Sequence, residues 1–205
     1  MGNCLGVKMD CIEQLIGGFR QGNLYTIATR PGCGKTHFCM SVACHFAKLA
    51  QRVLYISDSM DEETFEQRIE KIGLYCYGEV VFKETYHLTM AKLSEWLDAA
   101  PFDLLVIDPI DVYCWDVDIG ELKELAKAKH ICVLLAKTLS ASLSEKNKLP
   151  TLSHIQFPSA SFLNKFLAYT SVILFGYFNP KNNSVCLCVA KNEYGSIGQT
   201  IEFRR

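Results

Sequence analysis

The sequence lacks a long apolar run, since no stretch reaches the roughly 20 residues that a transmembrane helix needs. It also lacks an excess of charge of one sign, because 21 Lys and Arg residues face 22 Asp and Glu residues and the formal net charge is −1. The bulk electrostatic footprint of a nucleic-acid-binding protein is therefore missing, and DNA binding has to be argued from a local basic loop. We expect no membrane partner.

No C-x-x-C pair occurs among the ten cysteines, which are scattered, and no secretory signal precedes them. We therefore expect buried, reduced thiols and a cytoplasmic protein. Cys186 and Cys188 share one face of a predicted strand, and we interpret them as core residues rather than as metal ligands. The segment Met1–Gly6 lacks the Ser or Thr of an acylation signal, so we expect no lipid anchor.

Proline and charged residues are sparse as well. Six prolines and 21% charged residues stand against 49% hydrophobic residues, which excludes a disordered or fibrous chain. The 205 residues suffice for one α/β domain with a full core, and no internal repeat or linker is visible. We expect residues 1–205 to form a single domain.

What the sequence does contain is a glycine-rich loop between the predicted strand Asn23–Ala28 and a helix predicted from Thr36 to Gln51. In such a loop the glycines let backbone N–H groups face phosphates, and the helix N-terminus adds its positive dipole end. Lys35 would reach the β- and γ-phosphates, and the Thr36 hydroxyl would ligate Mg²⁺. The predicted nucleotide-binding residues are Arg30, Pro31, Gly32, Cys33, Gly34, Lys35, Thr36 and His37.

The loop departs from the Walker A pattern G-x-x-x-x-G-K-[ST] at its first position, where Thr29 stands in place of glycine. The alternative interpretation is a glycine-rich turn with an exposed lysine. The position between a strand and a helix favours nucleotide binding.

Strands and helices alternate along the rest of the chain, which predicts a mostly parallel sheet with helices on both faces and a C-terminal antiparallel β extension. The segment from Lys137 to Ala168 is less regular and is the candidate for a long functional loop. The predicted helices are Met9–Phe19, Asp61–Lys71, Thr89–Ala99 and Gly120–Lys129, and the further strands are Arg52–Ser57, Glu79–Lys83, Phe102–Asp108, Ile131–Ala136, Val172–Tyr177, Val185–Ala190 and Gln199–Phe203.

Hydrolysis of a bound nucleotide needs a second acid near Mg²⁺. Asp108 follows four apolar strand residues and fits the Walker B role of holding the metal or its water, although it could instead cap a strand end. A further group must orient the attacking water. The candidates are Asp58, Ser59, Asp61 and Asp111, each of which is more often a turn or cap residue.

These motifs, in this order, resemble the C-terminal ATPase domain of DnaB-like replicative helicases, a branch of the RecA-like proteins. The resemblance implies a RecA-like fold, ATP and Mg²⁺ as ligands, a ring-shaped homo-oligomer or a protein partner, and single-stranded DNA as a possible partner. It rests on Gly17-Gly18 and Gln21–Leu24, Arg30–Thr36, Val53–Met60 with Gln67-Arg68, Leu105–Pro109, Leu122–Lys127, Ala190–Gly195 and Thr200–Phe203.

The departures from the family pattern fall on catalytic positions. Ser59 stands where the resemblance places a glutamate that polarises the attacking water, with Asp58 one residue early. Lys137-Thr138 replaces a glutamine that senses the γ-phosphate. Glu193 replaces an arginine that, together with the matching Lys191, reaches the nucleotide of the neighbouring subunit. We therefore predict Lys191 as a contact in trans and hydrolysis that is weak or depends on a partner.

The segments that would face DNA are poor in the basic residues that phosphate contacts need. Residues 109–120, the first segment that could face DNA, are acidic. The second such segment is the loop predicted after Lys137, and it offers only Lys146 and Lys148. Three functions stay open: an ATP-binding protein with weak or partner-dependent ATPase activity, an active DNA motor that uses Asp58 as base, and an interaction module that ATP switches without hydrolysis. A small-molecule kinase is disfavoured because no arginine-rich lid is visible, and ATP rather than GTP follows from the resemblance alone.

Overall fold

A computed structural model describes residues 9–71, 79–111, 115–140, 149–157 and 159–204. Met1–Gly6, Lys146 and Lys148, for which the sequence made predictions, lie outside these ranges. The helices are α1 (Met9–Ile16), α2 (Lys35–Lys48), α3 (Glu62–Lys71), α4 (Met90–Ala99), α5 (Ile119–Lys129) and α6 (Ala160–Tyr169). The strands are β1 (Leu24–Thr29), β2 (Val53–Ser57), β3 (Val80–Glu84), β4 (Leu88–Thr89), β5 (Leu104–Asp108), β6 (Trp115–Asp116), β7 (Cys132–Thr138), β8 (Thr170–Asn179), β9 (Ser184–Asn192) and β10 (Thr200–Arg204).

The central sheet has eight strands in the order β10-β9-β8-β1-β7-β5-β2-β3. The six strands from β8 to β3 run parallel to one another, whereas β9 and β10 are antiparallel to their neighbours. β4 and β6 form a separate two-stranded pair. The predicted fold class, a mostly parallel sheet with a C-terminal antiparallel extension, is confirmed; that residues 1–205 form one domain stays a prediction.

Both faces of the sheet are buried, as in parallel sheets covered by helices. Alternate residues of β1 therefore enter different cores: Tyr25 and Ile27 pack on the face that α1, α2 and α3 cover, while Leu24 and Ala28 pack on the face of α4, α5 and α6. The apolar runs that predicted the strands are thus explained, because every residue of β1, β2 and β5 is buried.

The prediction that residues 137–168 form one long loop was wrong in part, because α6 occupies Ala160–Tyr169. The Ser159 hydroxyl caps this helix by accepting a hydrogen bond from the Phe162 backbone N–H. Phe166 is fully buried in the core between α6 and the sheet. The helix was missed because its apolar residues follow a stretch rich in Ser, Asn, Lys and Pro that dominated the pattern.

Cys186 and Cys188 are buried free thiols on β9, in agreement with the interpretation as core residues. Cys44 takes part in a disulfide, which corrects the expectation that all cysteines are reduced. Among the described residues no group of His, Cys, Asp and Glu side chains is arranged to hold a metal ion. Within the same ranges no helix has the length and apolar character needed to cross a bilayer.

The parallel strands β1, β2, β5 and β7 all end at the same edge of the sheet. In sheets of this type, ligands bind outside the carboxyl ends of the strands. The glycine-rich loop, Ser59, Asp108 and Thr138 follow or end these four strands, so the topology brings them to one edge.

Candidate functional site

The loop after β1 exposes backbone groups in the way that an anion site requires. Its Cys33 N–H closes a turn on the Arg30 carbonyl oxygen at 3.2 Å. Gly32 and Gly34 have φ angles of 75° and 87°, which residues with a side chain rarely adopt. Gly34 is the N-cap of α2 and provides no side-chain cap, so the N–H groups of the first helical turn remain available to a bound anion.

One open cavity collects most of the predicted nucleotide-binding residues. The loop forms its wall, and Thr138 at the end of β7 closes it on one side. Cys33 does not line this cavity but an adjacent one. The lining residues are Thr29, Arg30, Pro31, Gly32, Gly34, Lys35, Thr36, His37 and Thr138.

The adjacent cavity is almost entirely apolar. Cys33 and Phe38 line it from the side of the loop and α2, and Val185, Leu187 and Phe203 line it from β9 and β10. Its volume of about 30 Å³ is that of roughly one water molecule, so it is a small gap in the packing beneath the loop. The sequence analysis did not bring these residues together, because the antiparallel extension lies more than a hundred residues from the loop and only the sheet order makes the two neighbours.

The loop lysine contacts the predicted Walker B aspartate. Lys35 Nζ lies 3.3 Å from Asp108 Oδ1, and Asp108 is fully buried. The Tyr55 hydroxyl of β2 donates a hydrogen bond to the other oxygen, Oδ2, at 2.7 Å. Burial raises the pKa of Tyr55 well above its usual value, and the neighbouring Asp108 raises it further. The phenol is therefore protonated at neutral pH and remains a donor to the carboxylate.

Ser59 is hydrogen-bonded to Ser57, the last residue of β2. It stands at the position that the resemblance assigns to a catalytic glutamate. Its hydroxyl lies 3.1 Å from the Ser57 hydroxyl, and its backbone N–H donates to the same oxygen at 3.2 Å. Ser57 in turn donates to the Asp108 backbone carbonyl oxygen at 2.8 Å. Asp58 is half-buried next to them. Position 59 therefore carries a hydroxyl and no carboxylate, and it is linked through Ser57 to Asp108, the predicted Walker B residue.

Two of the other carboxylates considered as bases have structural contacts. Asp61 caps α3, because its Oδ1 accepts a hydrogen bond from the Thr64 backbone N–H at 2.8 Å. Hydrogen bonds from Thr64 lower the pKa of Asp61. Asp111 accepts a hydrogen bond from the Lys137 ammonium at 2.7 Å. Both therefore have partners in the protein that explain their presence without a catalytic role.

The two residues at the place of the family glutamine face different surroundings. The Lys137 side chain is buried, and its Nζ also lies 4.7 Å from the centre of the Phe157 ring. Thr138 lines the loop cavity, and its backbone N–H donates to Asp111 Oδ1 at 3.3 Å. The structure therefore directs Lys137 away from the cavity and leaves Thr138 as the residue beside it.

The side chains of Lys191 and Glu193 are held near the start of β8, at the opposite end of the parallel strands from the loop. Lys191 pairs with Ile173 near the start of β8, whereas the loop follows the end of β1. The Lys191 ammonium donates to the carbonyl oxygens of Leu167 and Thr170 at 2.8 and 2.6 Å, and to Glu193 Oε1 at 3.1 Å. Burial raises the pKa of Glu193, but hydrogen bonds from Lys191 and Ser171 outweigh it and lower the pKa overall. Any nucleotide that Lys191 contacts would therefore belong to another subunit.

Thr29, which departs from the Walker A pattern, is accommodated by a glycine on the neighbouring strand. Thr29 pairs with Gly176 of β8, and a Cβ atom added to Gly176 would lie 2.7 Å from Thr29 Cγ2. The Thr29 hydroxyl donates to the Arg30 carbonyl oxygen at 3.0 Å. Gly176 thus leaves room for the Thr29 side chain, at the position where the Walker A pattern has a glycine.

The fold and the candidate site resemble those of one class of protein. RecA-like P-loop ATPase domains combine a glycine-rich loop between a strand and a helix, a buried carboxylate at the end of a nearby strand, and a parallel sheet with an antiparallel hairpin. Within that class, residues 5–96 match the sequence model of the DnaB-like helicase C terminal domain.

Solved structures agree with this assignment of the fold. The chain superposes on one solved ATPase domain with a TM-score of 0.76 and 17% identity, covering 97% of this chain and 86% of that one. A DnaB-like replicative helicase, solved in a study of its interactions with primase, gives 0.75 and 17%, covering 98% and 60%. Flagellar accessory protein FlaH from Methanocaldococcus jannaschii gives 0.71 and 16%, covering 98% and 93%. The predicted resemblance to DnaB-like helicase ATPase domains is confirmed.

Two curated proteins of similar sequence are DNA repair proteins. The chain is 27% identical to DNA repair protein RAD51 homolog 2 of Arabidopsis thaliana over 142 residues, 66% of this chain. It is 29% identical to DNA repair protein RadA of Halalkalibacterium halodurans over 100 residues, 49% of this chain. The chain spans only 35% and 21% of the lengths of these two relatives.

Proposed function

We propose that this chain binds ATP with Mg²⁺ and hydrolyses it weakly, or only when a partner supplies the missing catalytic groups. The observation that carries the proposal is the contrast within one site. The loop cavity, Lys35 and Asp108 are arranged to hold a triphosphate, whereas Ser59 is bound to Ser57 where a base would be needed. Binding and hydrolysis are therefore separable in this protein.

The residues around the loop fit a magnesium ion. Thr36 offers a hydroxyl at the start of α2, and Asp108 offers a buried carboxylate at the end of β5. These oxygen donors are the ligand types that Mg²⁺ takes in nucleotide sites, usually together with phosphates and water. Bound there, the ion would neutralise charge on the β- and γ-phosphates.

The weak hydrolysis follows from the side chains at three positions. Serine cannot accept a proton from water at neutral pH, so Ser59 provides no base. Thr138 lines the cavity at the position of the family glutamine, and its side chain lacks the amide that would sense the γ-phosphate. Glu193 would repel a neighbouring triphosphate, and the loss of a trans arginine costs related enzymes about 10³-fold or more in rate.

Nucleotide binding and turnover of the purified chain test this function directly. We expect a fluorescent ATP analogue to bind in the presence of Mg²⁺, and Lys35→Ala to abolish that binding because the phosphates lose their cation. We expect steady-state turnover close to that of Lys35→Ala, with or without single-stranded DNA. A rate of roughly ten per second without partners would contradict weak hydrolysis.

The same assay can establish why turnover is low. Ser59→Glu returns a carboxylate to the position beside Asp108, and a positioned base contributes about 10²-fold or more. We expect this variant to turn over faster than the wild type, whereas Ser59→Gln, which matches its size without the charge, stays at the wild-type rate. Equal rates for both variants would mean that position 59 does not limit hydrolysis.

An active DNA motor is the second candidate, and the position of Lys191 favours it. This lysine lies at the sheet edge remote from its own loop, where a neighbouring copy in a ring could bring its nucleotide. A motor that uses Asp58 as base predicts turnover stimulated by single-stranded DNA with steep salt dependence.

If instead ATP only switches a protein interaction, Lys35→Ala abolishes that interaction and Asp58→Asn leaves it intact.

A further inference from the structure

We propose that Tyr55 is a positioning residue for the magnesium site: its hydroxyl holds the Asp108 carboxylate in the orientation that receives the ion. This inference rests on the proposed binding of ATP with Mg²⁺. It gives a role to a residue outside the Walker motifs, one whose contact with Asp108 is visible only in the fold.

The two oxygens of Asp108 have different partners. Oδ1 lies 3.3 Å from the Lys35 ammonium, and Oδ2 accepts a hydrogen bond from the Tyr55 hydroxyl at 2.7 Å. The contact with Lys35 is long for a charge-assisted hydrogen bond, whereas the contact with Tyr55 is short. Tyr55 therefore restrains the carboxylate more tightly than Lys35 does.

Tyr55 is itself fixed. It pairs with Val106 of β5 and Phe82 of β3, so both neighbouring strands hold its backbone. Its ring lies 4.7 Å from the ring of Phe65 and 6.1 Å from that of Phe82, between centroids, and none of its surface is exposed. The hydroxyl cannot follow Asp108 to another position, and it fixes the rotation of the carboxylate about its Cβ–Cγ bond.

This restraint becomes important when nucleotide binds. The Lys35 ammonium has three N–H donors and would then divide them between Asp108 and the more highly charged phosphates. Its contact with Oδ1, already long at 3.3 Å, would weaken, while Oδ2 would keep its hydrogen bond to Tyr55. Without that hydroxyl, the orientation of the buried carboxylate would depend on Lys35 alone, and binding of the ion would have to supply the rest.

The variant Tyr55→Phe removes the hydroxyl and keeps the ring. We expect the Mg²⁺ concentration at half-saturation, measured from the fluorescence of a bound ATP analogue, to rise about tenfold, as a lost hydrogen bond to a charged group predicts. The matched control is Tyr25→Phe. Tyr25 is also buried in the sheet, accepts a hydrogen bond from the Arg20 N–H and donates one to the Gly18 carbonyl oxygen, but its hydroxyl contacts no loop residue. Its Mg²⁺ midpoint should equal that of the wild type.

The outcomes separate the inference from the proposed function. An unchanged Mg²⁺ midpoint in Tyr55→Phe, with only a lower melting temperature, would show a purely structural hydroxyl and overturn the inference. An equal rise in Tyr25→Phe would trace the effect to general loosening of the sheet and overturn it as well. If the wild-type chain bound the analogue without any dependence on Mg²⁺, or not at all, the proposed function itself would fail.

Discussion

Thr29 and Gly176 face each other on neighbouring strands. The Thr29 side chain leaves no room for a side chain at position 176, and the glycine there leaves room for Thr29. Gly176→Ala would place a methyl group 2.7 Å from Thr29 Cγ2, so we expect it to lower the free energy of unfolding by about 1–3 kcal/mol, the cost of overpacking a core. Thr29→Ser removes that methyl group and keeps the hydroxyl that donates to the Arg30 carbonyl oxygen. In the Thr29→Ser background the cost of Gly176→Ala should largely disappear.

Urea unfolding of the four chains of this double-mutant cycle measures the coupling between the two positions. The other atoms near the added methyl group, on Leu187 and Ile27, lie at 3.5 and 3.7 Å and are ordinary contacts. Additive effects would mean that Thr29 is not the neighbour that excludes a side chain at position 176.

At the level of single residues, the sequence predicted those that a continuous motif carries. Lys35 and Asp108 were found because a glycine-rich loop and an apolar strand ending in a carboxylate are local patterns, and the structure brings the two side chains into contact. Tyr55 was not singled out, because its hydrogen bond to Asp108 joins two strands that lie far apart in the sequence. No spacing within the chain encodes such contacts.

One carboxylate joins two helices on the second face of the sheet. Asp118 Oδ1 caps α5 by accepting hydrogen bonds from the N–H groups of Gly120 and Glu121 at 2.7 and 3.1 Å, and Oδ2 accepts one from Lys165 of α6 at 2.7 Å. The Lys165 hydrogen bond, aided by the two backbone N–H groups, lowers the pKa of Asp118 below its usual value. Asp118→Ala should destabilise the protein by about 1 kcal/mol, as loss of a helix cap does.

The pH dependence separates the cap from the ion pair. A lowered pKa means that the ionised group stabilises the fold at neutral pH, and that this contribution is lost as the pH falls below the ordinary aspartate range. Asp118→Asn keeps a capping oxygen but loses the charge. We expect its melting temperature to lie slightly below the wild type at neutral pH and to converge with it below about pH 3. A constant difference across that range would exclude the ion pair as its cause.

At the level of elements, the predicted strands and helices were recovered where apolar periodicity was continuous. The end of β7 was predicted at Ala136, but the strand continues through Lys137 and Thr138. A charged residue after an apolar run is typical of a loop, so the sequence predicted the end of the strand there. In the structure Asp111 and Phe157 surround the Lys137 ammonium and allow its side chain to be buried. Tertiary contacts, which the local pattern does not contain, extended this strand.

For the whole molecule, the position of Lys191 makes assembly measurable. Its ammonium group holds two carbonyl oxygens where α6 meets β8, so Lys191→Ala should lower the free energy of unfolding by about 1 kcal/mol. We expect its ATP affinity to equal that of the wild type at concentrations where the chain is a monomer, and to be lower where light scattering detects oligomers. The exposed Lys48, at the far end of α2, provides the control variant Lys48→Ala.

A loss of ATP affinity in monomeric Lys191→Ala would contradict this geometry, because the lysine and the loop of one chain lie at opposite edges of the sheet. The resemblance predicted a role for Lys191 between subunits, and the fold alone explains why that role would need a second copy. Equal affinities in the oligomer and the monomer would leave Lys191 with its structural contacts only.

The junction at Lys191 also has a mechanical consequence. Helix α6 ends at Tyr169 and β8 begins at Thr170, so no flexible residue separates them. Lys191 fastens the last turn of the helix to the first residue of the strand. A force applied to α6 is therefore transmitted without slack to β8, and β8 lies one strand spacing, about 4.8 Å, from the strand that carries the loop.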